Sequence, residues 1–282
     1  MASRSRHHSR AVALVLTFGL IGFAPVPAAA AVTPGCGDTI TRNVTLTADI
    51  LDCFPSASGA ALVIGADNIV LDGNGFTIDG QSAYSGVLVD GHKNVTIKNL
   101  FVTEFGQGVV VRDSKRVRIL SSDVDATTAA IARIEDSGHV TLRGNELGWS
   151  GGGGVWIVRS SHTSLIDNKL SGADFGFAFQ DTTKNLVRGN EVSGSYFDGF
   201  LLIATTKSTF RSNTATLHWS DGFKVDAAST GNRFIGNETA QNALGFEDAS
   251  EGRGTSGTAN RYDGNVCPDG SSPAGLCSVP TP

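Results

Sequence analysis

Two tripeptides, Asp198-Gly199-Phe200 and Asp221-Gly222-Phe223, stand 23 residues apart in a chain of 282. If that distance is one structural lap, the two carboxylates lie one strand spacing apart, ~5 Å. They would then repel by ~3 kcal/mol at an effective dielectric near ~20. A shared proton, a bound cation such as Ca2+, or a neighbouring ammonium would relieve the repulsion, and Lys224 is placed to be that ammonium. Glu247 falls about one lap further on. Carboxyls ~5 Å apart suit the nucleophile and acid of glycoside hydrolysis, and wider pairs suit an acid and a base flanking a water. Asp221, Asp198, Glu247 and Lys224 are therefore the candidate catalytic group, with the metal question left open. Trp156, Tyr196 and Trp219 offer flat faces on which a sugar ring could pack. Arg133 and Asp226 add polar contacts to this substrate-binding set. In the competing reading each Asp before Gly is a turn residue bonding its own backbone. Lys224 with Glu247 is then a solvated cross-strand ion pair, and His218 an exposed turn residue.

The elements that must position these side chains follow from a repeat. An Asn recurs at Asn74, Asn99, Asn145, Asn168, Asn190, Asn213 and Asn237, with Ser121 or Ser122 filling the gap. A Gly-hydrophobe pair follows most of them: Gly108-Val109, Gly154-Val155, Gly176-Phe177, Gly199-Phe200, Gly222-Phe223 and Gly245-Phe246. Two landmarks in phase over seven segments define a repeat of about 23 residues, the signature of a stacked architecture. Inside each lap, bursts such as Val87-Leu88-Val89 and Phe177-Ala178-Phe179 carry the period-two pattern of strands with one buried face. Gly, Asn, Asp and Ser between the bursts leave no room for a helix. A coil this short cannot bury its apolar side chains alone, so coils must stack. Stacking predicts an inner column of Phe177, Phe200, Phe223 and Phe246, and an Asn column whose amides bond from coil to coil. It also predicts an outward column containing Arg133, Trp156, Lys224 and Glu247.

Segments such as "VRGNEVSGSYFDGFLLI" and "RFIGNETAQNALGFEDAS" resemble the right-handed parallel β-helix proteins, the pectate-lyase-like superfamily and especially its NosD-type repeats. The resemblance spans about residues 61–265. It implies an all-β, single-stranded right-handed parallel β-helix of about nine coils and an association with extracellular polysaccharide. A leucine-rich repeat is the rival fold, but turn formers and a second strand follow each Asn where that fold has a helix. Ser220-Asp221-Gly222-Phe223 is similar to the Asn-Thr-Asp-Gly signature of the polygalacturonases, with Glu247-Asp248 as a stand-in for that family's Asp-Asp pair. The Gly-His-Gly and Arg-x-Lys motifs of that family are absent. Arg143, Arg188 and Arg211 lie on a different face from the acidic cluster, unlike the arrangement in pectate lyases. NosD-type proteins are linked to copper delivery, yet one Met and no His or Cys cluster leave no soft-metal site to name.

The ends complete the reading. A basic start, an apolar run from Ala11 to Phe23 and Ala28 to Ala31 make residues 1–31 a secretory signal peptide. Residues 32–60 are expected to cap the helix, 61–266 to form it, and 267–282 to make a C-terminal disulfide loop and tail. In an exported chain, Cys36, Cys53, Cys267 and Cys277 read as two disulfides with three possible pairings. Eight or nine coils at ~4.8 Å each hold the early and late cysteines too far apart to bridge, leaving Cys36–Cys53 and Cys267–Cys277. The net charge of −5 gives no case for nucleic acid, and no segment is apolar enough to span a membrane. A secreted monomer is expected. It binds and cleaves extracellular polysaccharide, or serves as a non-catalytic carbohydrate-binding or envelope module.

Overall fold

A computed structural model describes residues 33–54, 59–81 and 84–280. The expected signal peptide lies outside the described residues. From Asp38 onward the chain winds through three short strands per lap, and every third strand pairs with the same sheet. The first sheet has eleven strands, the second ten and the third nine, all parallel and in sequential order. Parallel crossovers within one sheet are right-handed. The molecule is thus a right-handed parallel β-helix of about ten coils, one more than the repeat count predicts. The segment assigned to the N-terminal cap already contributes a strand to each sheet: Asp38–Ile40, Val44–Thr45 and Ile50–Cys53.

One lap shows why the sequence folds this way. Thr209–Arg211 runs in the second sheet, Thr214–Thr216 in the third and Asp221–Val225 in the first. Phe210, Ala215, Phe223 and Val225 point inward and are buried. The alternate strand residues Thr209, Arg211, Thr214, Thr216 and Lys224 point out, because successive strand side chains alternate. Each lap closes through tight corners that need left-handed backbone, supplied at one corner by Ser121, Gly144, Asp167, Gly189, Ser212 and Gly236. The glycine of the Gly-hydrophobe landmark has a steric reason: a Cβ at Gly176 would lie 2.2 Å from the Gly199 carbonyl oxygen of the next coil.

The phenylalanine column forms as expected. Ring centroids are 5.6 Å apart for Phe177–Phe200, 4.4 Å for Phe200–Phe223 and 4.7 Å for Phe223–Phe246. A second column that the repeat reading did not separate, Phe210, Phe234 and Tyr262, stacks at 5.0 and 4.6 Å. It meets the first edge-on, the arrangement that aromatic quadrupoles favour.

The asparagine ladder runs from Asn145 through Asn168, Asn190, Asn213 and Asn237 to Asn265. In each of the first five, the backbone N–H and the side-chain amide both donate to Oδ1 of the next Asn. Each amide also donates to a carbonyl of the preceding coil, as Asn190 does to Leu165. The early members do not join. Ser122 precedes Asn145 in the column and Leu100 precedes Ser122, so Asn99 falls one position short, exposed and left-handed. Asn74 is likewise exposed, and its amide reaches only the Leu46 carbonyl.

The disulfides are Cys36–Cys53 and Cys267–Cys277, near the two ends. Among the described residues no helix is long and apolar enough to cross a membrane.

Candidate functional site

The first sheet brings four predicted residues together. Asp198 and Asp221 occupy the same turn position in successive coils, and Asp198 Oδ1 accepts the backbone N–H of Asp221 at 3.0 Å. Lys224 and Glu247 are register partners on adjacent strands. The Lys224 ammonium donates to Asp221 Oδ2 at 3.0 Å and to Glu247 Oε2 at 2.6 Å. Of the expected ways to relieve carboxylate repulsion, the lysine is therefore in place. Burial, reinforced by hydrogen bonding with the Glu247 carboxyl, pushes Asp221 up to about 6 despite Lys224. Hydrogen bonds from Asp221 and Lys224 hold Glu247 below the usual carboxylate range. Burial alone would lower the Lys224 ammonium, but its two carboxyl partners keep it above the ordinary lysine value. The arrangement is one ammonium between two carboxyls whose pKa values are pushed apart, Asp221 up and Glu247 down, a pattern suited to acid–base work.

Asp198 is 4% exposed and Asp221 4% exposed. Asp198 thus has a structural task, but it caps the backbone of the next coil, where the competing reading expected its own. Asp248 is not available as the partner of Glu247 in a paired-aspartate motif. It lies on the inward side of its strand and accepts from Ser250, Asn260 and the Tyr262 hydroxyl. Asp226 accepts from the Ser229 hydroxyl at 2.7 Å in its own turn and from the Ala204 N–H of the preceding coil, which gives it a structural task.

Aromatic side chains line one edge of the cluster. Tyr196 and Trp219, each two residues before one of the paired aspartates, stack at 5.3 Å between centroids and are 55% and 78% exposed. Phe197 packs edge-on against Tyr196 and stacks on Phe175, at 4.9 and 5.0 Å. The sequence reading missed Phe175 and Phe197, although Phe175 holds the same position before its landmark glycine as Asp198 does. Trp156 and Arg133 lie elsewhere: they are register partners three and four coils before the Lys224 strand. There the Arg133 guanidinium covers the Trp156 ring at 5.5 Å and bonds Glu135 at 3.1 Å. They do not form one site with Trp219.

His218 differs from its expected exposure. It is buried, and Nδ1 accepts the Ser195 N–H at 3.0 Å while its backbone N–H donates to Asn242 Oδ1. Burial brings its pKa down to about 4, so it stands neutral in a turn ladder.

Fold and site together define a right-handed parallel β-helix with an aromatic-edged acidic cluster on its first sheet. The chain belongs to the family described as periplasmic copper-binding protein (NosD), which matches residues 91–266. No curated protein matches it. Among solved structures it is similar to a DFA-IIIase from Arthrobacter chlorophenolicus A6 in complex with DFA-III. The identity is 10% and the TM-score 0.56, covering 79% of this chain and 59% of that one. It is also similar to PfbA, a surface adhesin of Streptococcus pneumoniae, at 12% identity and TM-score 0.56, covering 81% and 72%. The chain spans only about three fifths of the DFA-IIIase length. At these identities the likeness concerns the fold alone.

The family description implies copper, and the donor set does not fit it. All four cysteines are oxidised, and the one methionine is Met1. His139 and His162 stack face to face at 4.6 Å, but no third ligand-type side chain joins them among the described residues. Among the described residues no three His, Cys, Asp or Glu side chains gather as metal ligands.

Proposed function

We propose that this protein is a secreted polysaccharide-binding β-helix whose glycan site is the Tyr196–Trp219 step beside Asp221, Lys224 and Glu247. The exposed aromatic stack carries this reading. Two large rings stacked with a 27° tilt, and with much of their surface in solvent, give an apolar surface for sugar rings. The ammonium and carboxyls beside it supply hydrogen-bonding groups for hydroxyls. The NosD family's periplasmic description and the two disulfides support a location outside the cytoplasm. One structural neighbour acts on a carbohydrate and the other is an adhesin, which supports a binding face on this scaffold without specifying its ligand.

Affinity electrophoresis of the mature chain through gels containing neutral polysaccharides tests the proposal. At least one polymer is expected to retard the wild type, with Tyr196→Ala/Trp219→Ala weakening that retardation about tenfold, the factor for ~1.4 kcal/mol. Unchanged retardation of the double variant would overturn it.

A second reading, cleavage, rests on the divergent protonation of Asp221 and Glu247. Asp221 would donate a proton to the glycosidic oxygen while Glu247 stays ionised. It requires product from the wild type and none from Asp221→Asn; equal product from both would sink it.

A further inference from the structure

The outer face of the second sheet carries a charge pattern unrelated to the aromatic site. Arg118, Arg143, Arg188, Arg211, Arg233 and Arg261 all lie on its strands and are exposed. Arg253, also exposed, comes from the loop beyond the last coils. Arg188 is the direct register partner of Arg211, and Arg233 of Arg261. Like charges directly opposite each other on neighbouring strands are destabilising. None of the seven takes part in an ion pair or a side-chain hydrogen bond among the described residues. The one carboxylate lining the grooves at the end of this face, Asp263, is outnumbered there by Arg233, Arg253 and Arg261. The face ends in two adjoining grooves of ≈ 370 and ≈ 450 Å³, both lined by Arg233, Arg253 and Arg261. The third sheet has the opposite character, with Asp123, Glu146 and Glu191 in one outward column interrupted only by Lys169. A modest net charge of −5 thus conceals a rod with a basic side and an acidic side.

We infer that the arginine face of the second sheet binds a linear polyuronate, a polysaccharide with one carboxylate per sugar ring. The guanidinium fork matches a carboxylate bidentately. From Arg188 through Arg211 and Arg233 to Arg261 each coil carries an outward arginine at the strand spacing of ~4.8 Å, so an extended chain along this part of the face meets a charge on successive coils. The strand Ser164–Ile166, between Arg143 and Arg188, carries none. The occupant is a chain and not a bilayer because the face ends in concave grooves. Strands of this face carry no outward aromatic on which nucleobases could stack, as single-stranded nucleic acid requires. The inference is independent of the proposed function, which concerns the first sheet.

Retardation by a polyuronate gel at low and high salt is the test, with circular dichroism to confirm the fold of each variant. Wild-type retardation is expected to be strong at low salt and to collapse at high salt, because exposed charges are screened within a Debye length. The exposed double variants Arg188→Ser/Arg211→Ser and Arg233→Ser/Arg261→Ser should each lose about tenfold in affinity. Lys169→Ser on the third sheet should bind polyuronate as the wild type does. The inference is overturned if the arginine variants bind equally well, or if retardation survives high salt. It is equally overturned by preference for a sulfated glycan, single-stranded DNA or anionic vesicles. Salt-labile self-association through these arginines would instead assign the face to the acidic side of a second copy.

Discussion

Asp221 and Glu247 sit on adjacent strands and share one lysine, yet their carboxyls are driven in opposite directions. Asp221 loses water and faces a second carboxyl, whereas Glu247 stays partly solvated and collects the hydrogen bonds. Because Asp221 is raised to about 6, the folded protein keeps this proton where the unfolded chain, with a pKa near ~4, has released it. The stabilising contribution is complete below that unfolded value and is lost as pH rises through about 6. Urea unfolding of wild type and Asp221→Asn should therefore show the wild type losing on the order of 1 kcal/mol relative to the variant between pH ~4 and ~6. Glu247 is lowered, so its contribution runs the other way, present above its ordinary value and lost in acid. A difference between the two proteins that does not change over that interval would show that Asp221 titrates normally.

At the level of the element, each corner is held by a side chain that copies backbone bonding from one coil to the next. Asn190 illustrates the cost of losing one. Its Oδ1 receives two donors from Asn168, and its amide satisfies the Leu165 carbonyl and Asn213. Asn190→Ala would strand these buried groups and should cost about 2–3 kcal/mol in urea unfolding. Asn99→Ala, at an exposed left-handed corner outside the column, should cost only about 1 kcal/mol, the penalty for a Cβ in that conformation. Similar losses at both positions would mean that the amide ladder adds nothing beyond turn propensity.

At the level of the whole molecule, a stacked rod has open ends, where a β-edge invites pairing. Cys36–Cys53 ties the first strands to each other across a separation of 17 residues, and Cys267–Cys277 closes the last coil. Cys36→Ala/Cys53→Ala should lower stability by ~3 kcal/mol through loop-closure entropy. Because each coil contacts only its neighbours, the loss should begin at the first coils: hydrogen exchange would quicken around Asp38–Cys53 and stay slow around Phe200–Phe246. Uniform exchange along the rod would contradict this nearest-neighbour account. The three sheets also divide the surface by charge, so one narrow molecule presents a mixed face, a basic face and an acidic face.

The parallel coil, the inner phenylalanines, the later asparagine ladder and both disulfide pairings were legible in the letters. These features depend on short-range alternation and on a lap length that stays nearly constant. The sequence alone determined that Asp198, Asp221, Lys224 and Glu247 would share one region. What it left undecided turned on a single residue. Consecutive ladder positions are separated by 22, 23, 24 or 28 residues, and only the strand register shows at which corner each extra residue is absorbed. A shift of one place exposes Asn99, and alternation along a strand sends Asp248 inward beside an outward Glu247. The tertiary structure likewise decided that Tyr196 meets Trp219 while Trp156 stays with Arg133, and that arginines scattered along the chain share one face. Contacts between coils are made by residues far apart in sequence, so their partners become visible only once every lap is laid on the one beneath.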